Sequence, residues 1–239
     1  MYKLILLILT VNTATTAKSK YYYDPRIHNF GNIGLGGRIH SLLAPYATKL
    51  IDDKCYNSVN IRQAILSSYN HDFYNKHTRV PKLIDLCCGT GSSTYPGQLG
   101  IDTSDEMLRI ATAKSQLSTT QFIKGNAENY GKSEEFDTAT LMFAFHEMPN
   151  YAHHKIIKNA KKITKHDILI VDISPNYTPS KLMLSGEPYL LNYKATIQDL
   201  LMQHQFNYLE YIPNHVGLWI YNANNANNAN NLISLFNHK

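Results

Sequence analysis

Cysteine is scarce, with three residues in a chain of 239. Three thiols build no disulfide framework. Cys87 and Cys88 are sequence neighbours, and on a strand their side chains point to opposite faces, so they do not bridge. No histidine stands at ligand spacing from them, so no metal site is expected. Charge is also sparse: 23 Lys and Arg against 18 Asp and Glu give a net +5. The basic residues are scattered, apart from Lys161, Lys162 and Lys165. That trio reads as a helix end that favours cations. No basic stripe is present to hold phosphates, so no nucleic-acid partner is expected. Long apolar runs are missing too. The run over residues 4–11 is shorter than the ~20 residues a membrane-spanning helix needs. With Lys3 before it and small polar residues after it, residues 1–17 have the shape of a secretory signal, with cleavage after Ala17. Any membrane association would come only through this segment. It points to the secretory pathway or an organelle; without it the chain would be cytoplasmic.

What is present is organised around residues 83–91, LIDLCCGTG. Residues 83–88 form a short apolar run broken only by Asp85, as expected of a strand covered on both faces. Gly89 and Gly91 then permit positive φ and a close approach of ligand to backbone. Leu99-Gly100-Ile101-Asp102 reads as a second parallel strand ending in a carboxylate. A glycine turn after one strand and an acid at the tip of the next is how a Rossmann-like sheet holds a nucleoside.

Residues 85–91 (DLCCGTG) and 100–108 (GIDTSDEML) together resemble the class I S-adenosylmethionine-dependent methyltransferases, closest to the type 11 branch that includes quinone-ring methylases. Residues 124–128 (KGNAE), 136–142 (FDTATLM) and 168–172 (ILIVD) follow in that family's order. The resemblance implies an α/β fold with a mostly parallel seven-stranded sheet, an antiparallel last strand and a helical N-terminal cap. It implies S-adenosyl-L-methionine as cofactor. Asp85, Cys87, Gly89 and Gly91 would surround its methionine end, and Asp102, followed by Thr103, would bind its ribose. Met107 would pack near ribose and adenine, Asn126 and Ala127 would meet the adenine, and Leu141 would lie where strand four reaches the cofactor. The helix after the glycine turn departs from the family. Only residues 92–95 precede Pro96-Gly97, so it is expected to be cut to about one turn, with the exposed sheet face filled by other elements, the N-terminal cap among them.

The chain divides into a targeting segment (1–17), a cap or lid (18–79), the cofactor-binding domain (80–222) and an Asn-rich low-complexity tail (223–239). Within the lid, residues 30–37 are glycine-dense and read as a loop or hinge. Ile39, Leu42, Leu43, Tyr46, Leu50 and Ile51 fall at helical spacing, interrupted at Pro45. A second helix is expected over 58–69, with Ile61, Ile65 and Leu66 inward. Further on, helices are expected after Ser104 and over 151–163 and 192–203. Strands are expected near 122–123, 136–143, 168–173, 206–212 and 215–221.

Methyl transfer needs mainly positioning of donor and acceptor. His146, in the run FAFHEMP after strand four, is the one candidate base at the carboxyl end of the sheet with a pKa suited to neutral pH. Aromatic and apolar residues around it point to a small or lipid-like acceptor, methylated at O, N or C. The competing reading is a degenerate domain that binds the cofactor, or nothing, and serves as a binding protein.

Overall fold

The computed structural model describes residues 20–115, 118–223 and 236. The signal-like segment, and the Asn-rich tail beyond residue 223 apart from Phe236, lie outside them. Seven strands form one sheet in the order β3-β2-β1-β4-β5-β7-β6. They are β1 (Leu83–Leu86), β2 (Leu99–Asp102), β3 (Gln121–Lys124), β4 (Phe136–Met142), β5 (Thr164–Ile173), β6 (Asn207–Ile212) and β7 (Val216–Asn222). Strands β3, β2, β1, β4 and β5 pair in parallel, and β7 runs antiparallel to both of its neighbours, β5 and β6. This is the α/β architecture the sequence implied. The strands differ at their edges. β1 stops at Leu86 rather than Cys88, because Cys87 turns to φ 67°. β5 starts four residues before Ile168 and follows directly from the helix.

Among the described residues the α-helices include α1 (Gly34–Cys55), α2 (Ile61–His77), α3 (Asp105–Lys114), α4 (Asn150–Ile163), α5 (Lys181–Gly186) and α6 (Leu190–Gln203). Their starts follow from side-chain caps. Asn60 accepts from the Gln63 amide, Ser104 from that of Met107 and Ser180 from that of Met183. α4 and α6 bury Ile156, Ile157, Ile163, Ile197 and Leu201 in one core with Ile84, Leu86, Ile168 and Trp219. α2 makes the second core. Ile61, Ile65, Leu66, Tyr69 and Phe73 pack with Leu83, Leu169, Val171, Leu218 and Ile220. The Tyr69 hydroxyl donates to Asp167 at 2.7 Å and pairs with Thr138 at 2.6 Å, so this polar group is buried without cost.

No helix forms between β1 and β2; residues 87–97 run through consecutive turns. Gly89 and Gly91 take φ 52° and 77°, Ser93 and Thr94 spend their hydroxyls on Asp85, and Pro96 follows. The Gln63 side chain of α2 donates to the carbonyls of Ser92 and Thr94, which ties the turns to the N-terminal segment. Phe122 fills the neighbouring space: a Cβ on Gly91 or Gly100 would stand 2.7 or 2.8 Å from its ring.

The N-terminal segment, read from the sequence as a cap or lid, differs more from that reading. α1 begins at Gly34, within the stretch read as a loop, and continues through Pro45. Its glycines permit close packing: a Cβ on Gly36 would lie 1.8 Å from the Phe30 carbonyl oxygen, and one on Gly37 2.5 Å from Asn32. The apolar residues at helical spacing face outward to a large extent, with Leu42 56% and Tyr46 77% exposed. Among the described residues, no helix is long and apolar enough to cross a membrane.

Candidate functional site

The carboxyl ends of parallel strands leave a crevice where the connections diverge to opposite faces. Here a cavity of about 710 Å³ lies against that edge. Its wall includes residues following β1, β2 and β4, residues of the N-terminal segment from Tyr21 to Tyr56, and the α5 segment.

On the β1–β2 side the polar groups are held by backbone. Asp102 ends β2; its Oδ2 accepts from the Gly89 amide at 2.9 Å and its Oδ1 from the Ser104 amide at 2.9 Å. Each oxygen keeps a further lone pair. Burial raises the Asp102 pKa, and the backbone amides of Ser104, Gly89 and Thr103 pull it back. A Cβ on Gly89 would meet nothing within 4 Å, so a ligand can come up against this backbone. Cys87, Gly89, Asp102, Thr103, Met107, Asn126 and Ala127 all line the cavity. Asp85, Gly91 and Leu141 do not. Asp85, on β1, is buried and accepts from Ser93 and Thr94 at 2.8 and 2.7 Å. Burial pushes its pKa up to about 6 against those hydroxyls. Gly91 packs on Phe122, and Leu141 lies in the core, while Met142 and Phe143, the next two residues, reach the cavity. Asn126 uses its Oδ1 to accept from the Glu128 amide at 2.9 Å, an Asx turn that shapes the loop. Burial also pushes the Cys87 and Cys88 thiols well up, which keeps both protonated.

His146 sits in a 3-10 turn (Phe145–Glu147) after β4 and lines the cavity, although it is itself buried. Its Nδ1–H donates to Asp172 Oδ1 at 2.6 Å, and the Phe145 and His146 amides donate to Asp172 Oδ2 at 2.8 and 3.3 Å. Burial alone would lower the His146 pKa, but the Asp172 carboxylate outweighs it and raises the value to about 9. The sequence reading gave this base an ordinary histidine pKa. In the fold the Asp172 carboxylate favours its charged form.

Sequence reasoning missed the groups beside it. His28, at φ 51° in the lid, donates from Nε2 to Glu147 Oε1 and from Nδ1 to Glu187 Oε1, each at 2.8 Å. Burial opposes charging His28, yet the two carboxylates raise its pKa to about 11. The His40 ring lies 4.3 Å from it, and burial with the His28 charge lowers the His40 pKa to about 4. Glu147 is driven down to about 2: burial opposes this, and His28 overcomes it. Arg62, on α2, is buried beside Asp52 at 3.2 Å and stacks its guanidinium 4.2 Å from the Phe143 ring. Only the sequence run FHE hinted at Glu147; nothing local marked His28, Glu187 or Arg62.

Residues 83–167 match the family model described as a methyltransferase domain. A demethylmenaquinone methyltransferase of Lactococcus lactis subsp. lactis (strain IL1403) is 28% identical over 142 residues, covering 51% of this chain and 54% of that protein. A trans-aconitate 2-methyltransferase of Rhizobium rhizogenes (strain K84) is 31% identical over 117 residues, covering 45% and 44%. The chain spans about half the length of the curated relatives it matches. Among solved structures, the plantazolicin methyltransferase BamL, in complex with a triazolic desmethylPZN analog and SAH, superposes with a TM-score of 0.51 at 17% identity. That match covers 79% of this chain and 96% of the other, and it shows the shared fold. Sheet order, family-model match and relatives agree: residues 83–167 are similar to a methyltransferase domain, set in a sheet of the class I methyltransferase type.

Proposed function

We propose that the protein transfers the methyl group of S-adenosylmethionine to a small or lipid-like acceptor. The observation that carries this reading is the Asp102 carboxylate, fixed by two backbone amides beside the uncrowded Gly89 at the cavity wall. A carboxylate so placed suits the paired hydroxyls of a ribose through charge-assisted hydrogen bonds. Cys87, Gly89 and Thr103 would hold the donor with it, Met107 would pack beside the nucleoside, and Asn126 and Ala127 would border the base. The donor, when bound, supplies an activated methyl on a sulfonium.

The remaining chemistry belongs to the chain. The lid covers the cavity with Tyr21, Tyr22, Phe30, Leu43 and Ile51, and α5 adds Leu182 and Met183. Such a wall suits an apolar acceptor. The relatives' names support this reading, since they name demethylmenaquinone and trans-aconitate. His146, held by Asp172, is the group that orients the acceptor or takes its proton. Its raised pKa means that a base role requires alkaline solution or prior loss of the imidazolium proton.

The test is incubation of extracts with the protein and a deuteriomethyl donor, followed by mass spectrometry. Label in the organic-soluble fraction is the expected result. Label confined to RNA or protein overturns the acceptor class. No transfer, with S-adenosylhomocysteine still bound, favours the binding-protein reading.

A further inference from the structure

A buried carboxylate without its full set of donors is costly unless something completes it. Glu187 is such a group. Its side chain is only 6% exposed; Oε1 accepts from His28 Nδ1 at 2.8 Å, and Oε2 meets no donor. It lines the same cavity as Asp102 and His146.

The position of Glu187 is built. It follows α5 at Gly186, where a Cβ would stand 2.8 Å from Asn29 Nδ2 and 3.3 Å from the His28 Cα. The missing side chain lets α5 close on the lid. Two residues on, the Tyr189 hydroxyl donates to Asp24 Oδ2 at 2.9 Å and clamps the lid's start to the same segment. Both ring nitrogens of His28 are committed to carboxylates, so His28 carries one positive charge between two negative ones. The next ring, His40, stays neutral, and His146 is balanced by Asp172. The cluster therefore keeps one excess negative charge, and its unfilled valence is an acceptor oxygen.

We propose that Glu187 is the recognition site for a hydrogen-bond donor, an O–H or N–H, on an otherwise apolar methyl acceptor. This rests on the methyl-transfer reading above and adds the polar handle by which the acceptor is held. A rotation of the Glu187 side chain brings Oε2, which has almost no open surface in this structure, to that hydrogen, while His28 holds the carboxylate by its other oxygen. An acceptor whose donor is already capped by a methyl group leaves the oxygen unsatisfied, so the site also rejects the methylated product.

The experiment uses the full chain saturated with S-adenosylhomocysteine and two probes, 2-naphthol and 2-methoxynaphthalene, titrated by calorimetry. The expected result is a preference for the naphthol of about tenfold or more, as one hydrogen bond to a charged group provides. Glu187→Leu should remove the preference. Glu187→Gln keeps the side-chain shape and an oxygen for His28 but turns the second position into a donor; it too should lose the preference, which guards against misfolding of the leucine variant. Equal affinity of the two probes in the wild-type protein, binding of neither, or a preference that survives both substitutions would overturn the assignment. Failure of S-adenosylhomocysteine itself to bind would instead overturn the methyl-transfer reading.

Discussion

The two sides of the cavity are built by different means. On the β1–β2 side, the polar groups are fixed by neighbours close in sequence. Asp102 is held by Gly89 and Ser104, and Asp85 by Ser93 and Thr94. On the lid side, His28 pairs with Glu147 across 119 residues, and Tyr189 reaches Asp24 across 165. The first arrangement forms once the turns form. The second exists only when lid, β4 tip and α5 segment have docked. A turn-built site is written in a short motif; a docked site is written in no motif at all.

The sharpest way to test this division is to separate catalysis from cofactor binding. His146→Ala should lower turnover by about 10²- to 10⁴-fold, the usual contribution of a general acid–base group, while S-adenosylhomocysteine affinity stays unchanged in a titration. If His146 acts as a base, the wild-type rate should climb with pH and level off only above about 9, where its imidazolium has lost the proton. A flat profile from pH 6 to 9 would leave His146 an orienting role only.

A smaller effect is expected where the docked side loses its central charge. His28→Ala strands Glu147 and Glu187 near each other with no cation between them. Removing one partner of a buried pair costs about 3–5 kcal/mol. His28 is a third exposed, so about 2 kcal/mol is expected by denaturant unfolding at pH 6. The sign with pH follows from the raised folded-state value. The histidine's contribution is complete below its ordinary pKa of 6.5 and fades as pH rises toward 11. The gap between wild type and variant should therefore shrink across that window. A gap that widens would mean that His28 is held neutral.

On the turn-built side, Gly91→Ala should cost about 1–3 kcal/mol, because φ is 77° and the added Cβ would press on Phe122. A variant as stable as the wild type would show that this turn adapts more freely than its packing implies.

The same division explains what was legible in the chain. Buried parallel strands declare themselves as short apolar runs, so β1, β2 and β4 were visible within a residue or two of their ends. Ser104 announced α3 by its cap. The glycines at 34, 36 and 37 misled, because glycine needed for close packing reads the same as glycine needed for a bend. The apolar residues of α1 misled in the opposite sense, since helical spacing does not say whether a partner covers that face. Leu141 illustrates a third limit. Strand alternation puts Leu141 in the core while Met142 reaches the cavity, and family resemblance alone does not fix that register. His28 carries no local sign of function, because both of its partners come from the far half of the fold.

The central claim is that the β1–β2 edge of the cavity is a methyl-donor site organised by Asp102. It is tested most directly by calorimetric titration of wild-type protein and Asp102→Ala with S-adenosylhomocysteine. Saturable binding by the wild type and a loss of about tenfold or more in the variant are expected, since a charge-assisted hydrogen bond is worth about 1.5–3 kcal/mol. No heat with the wild-type protein at millimolar ligand, or equal affinity in the two proteins, would contradict it.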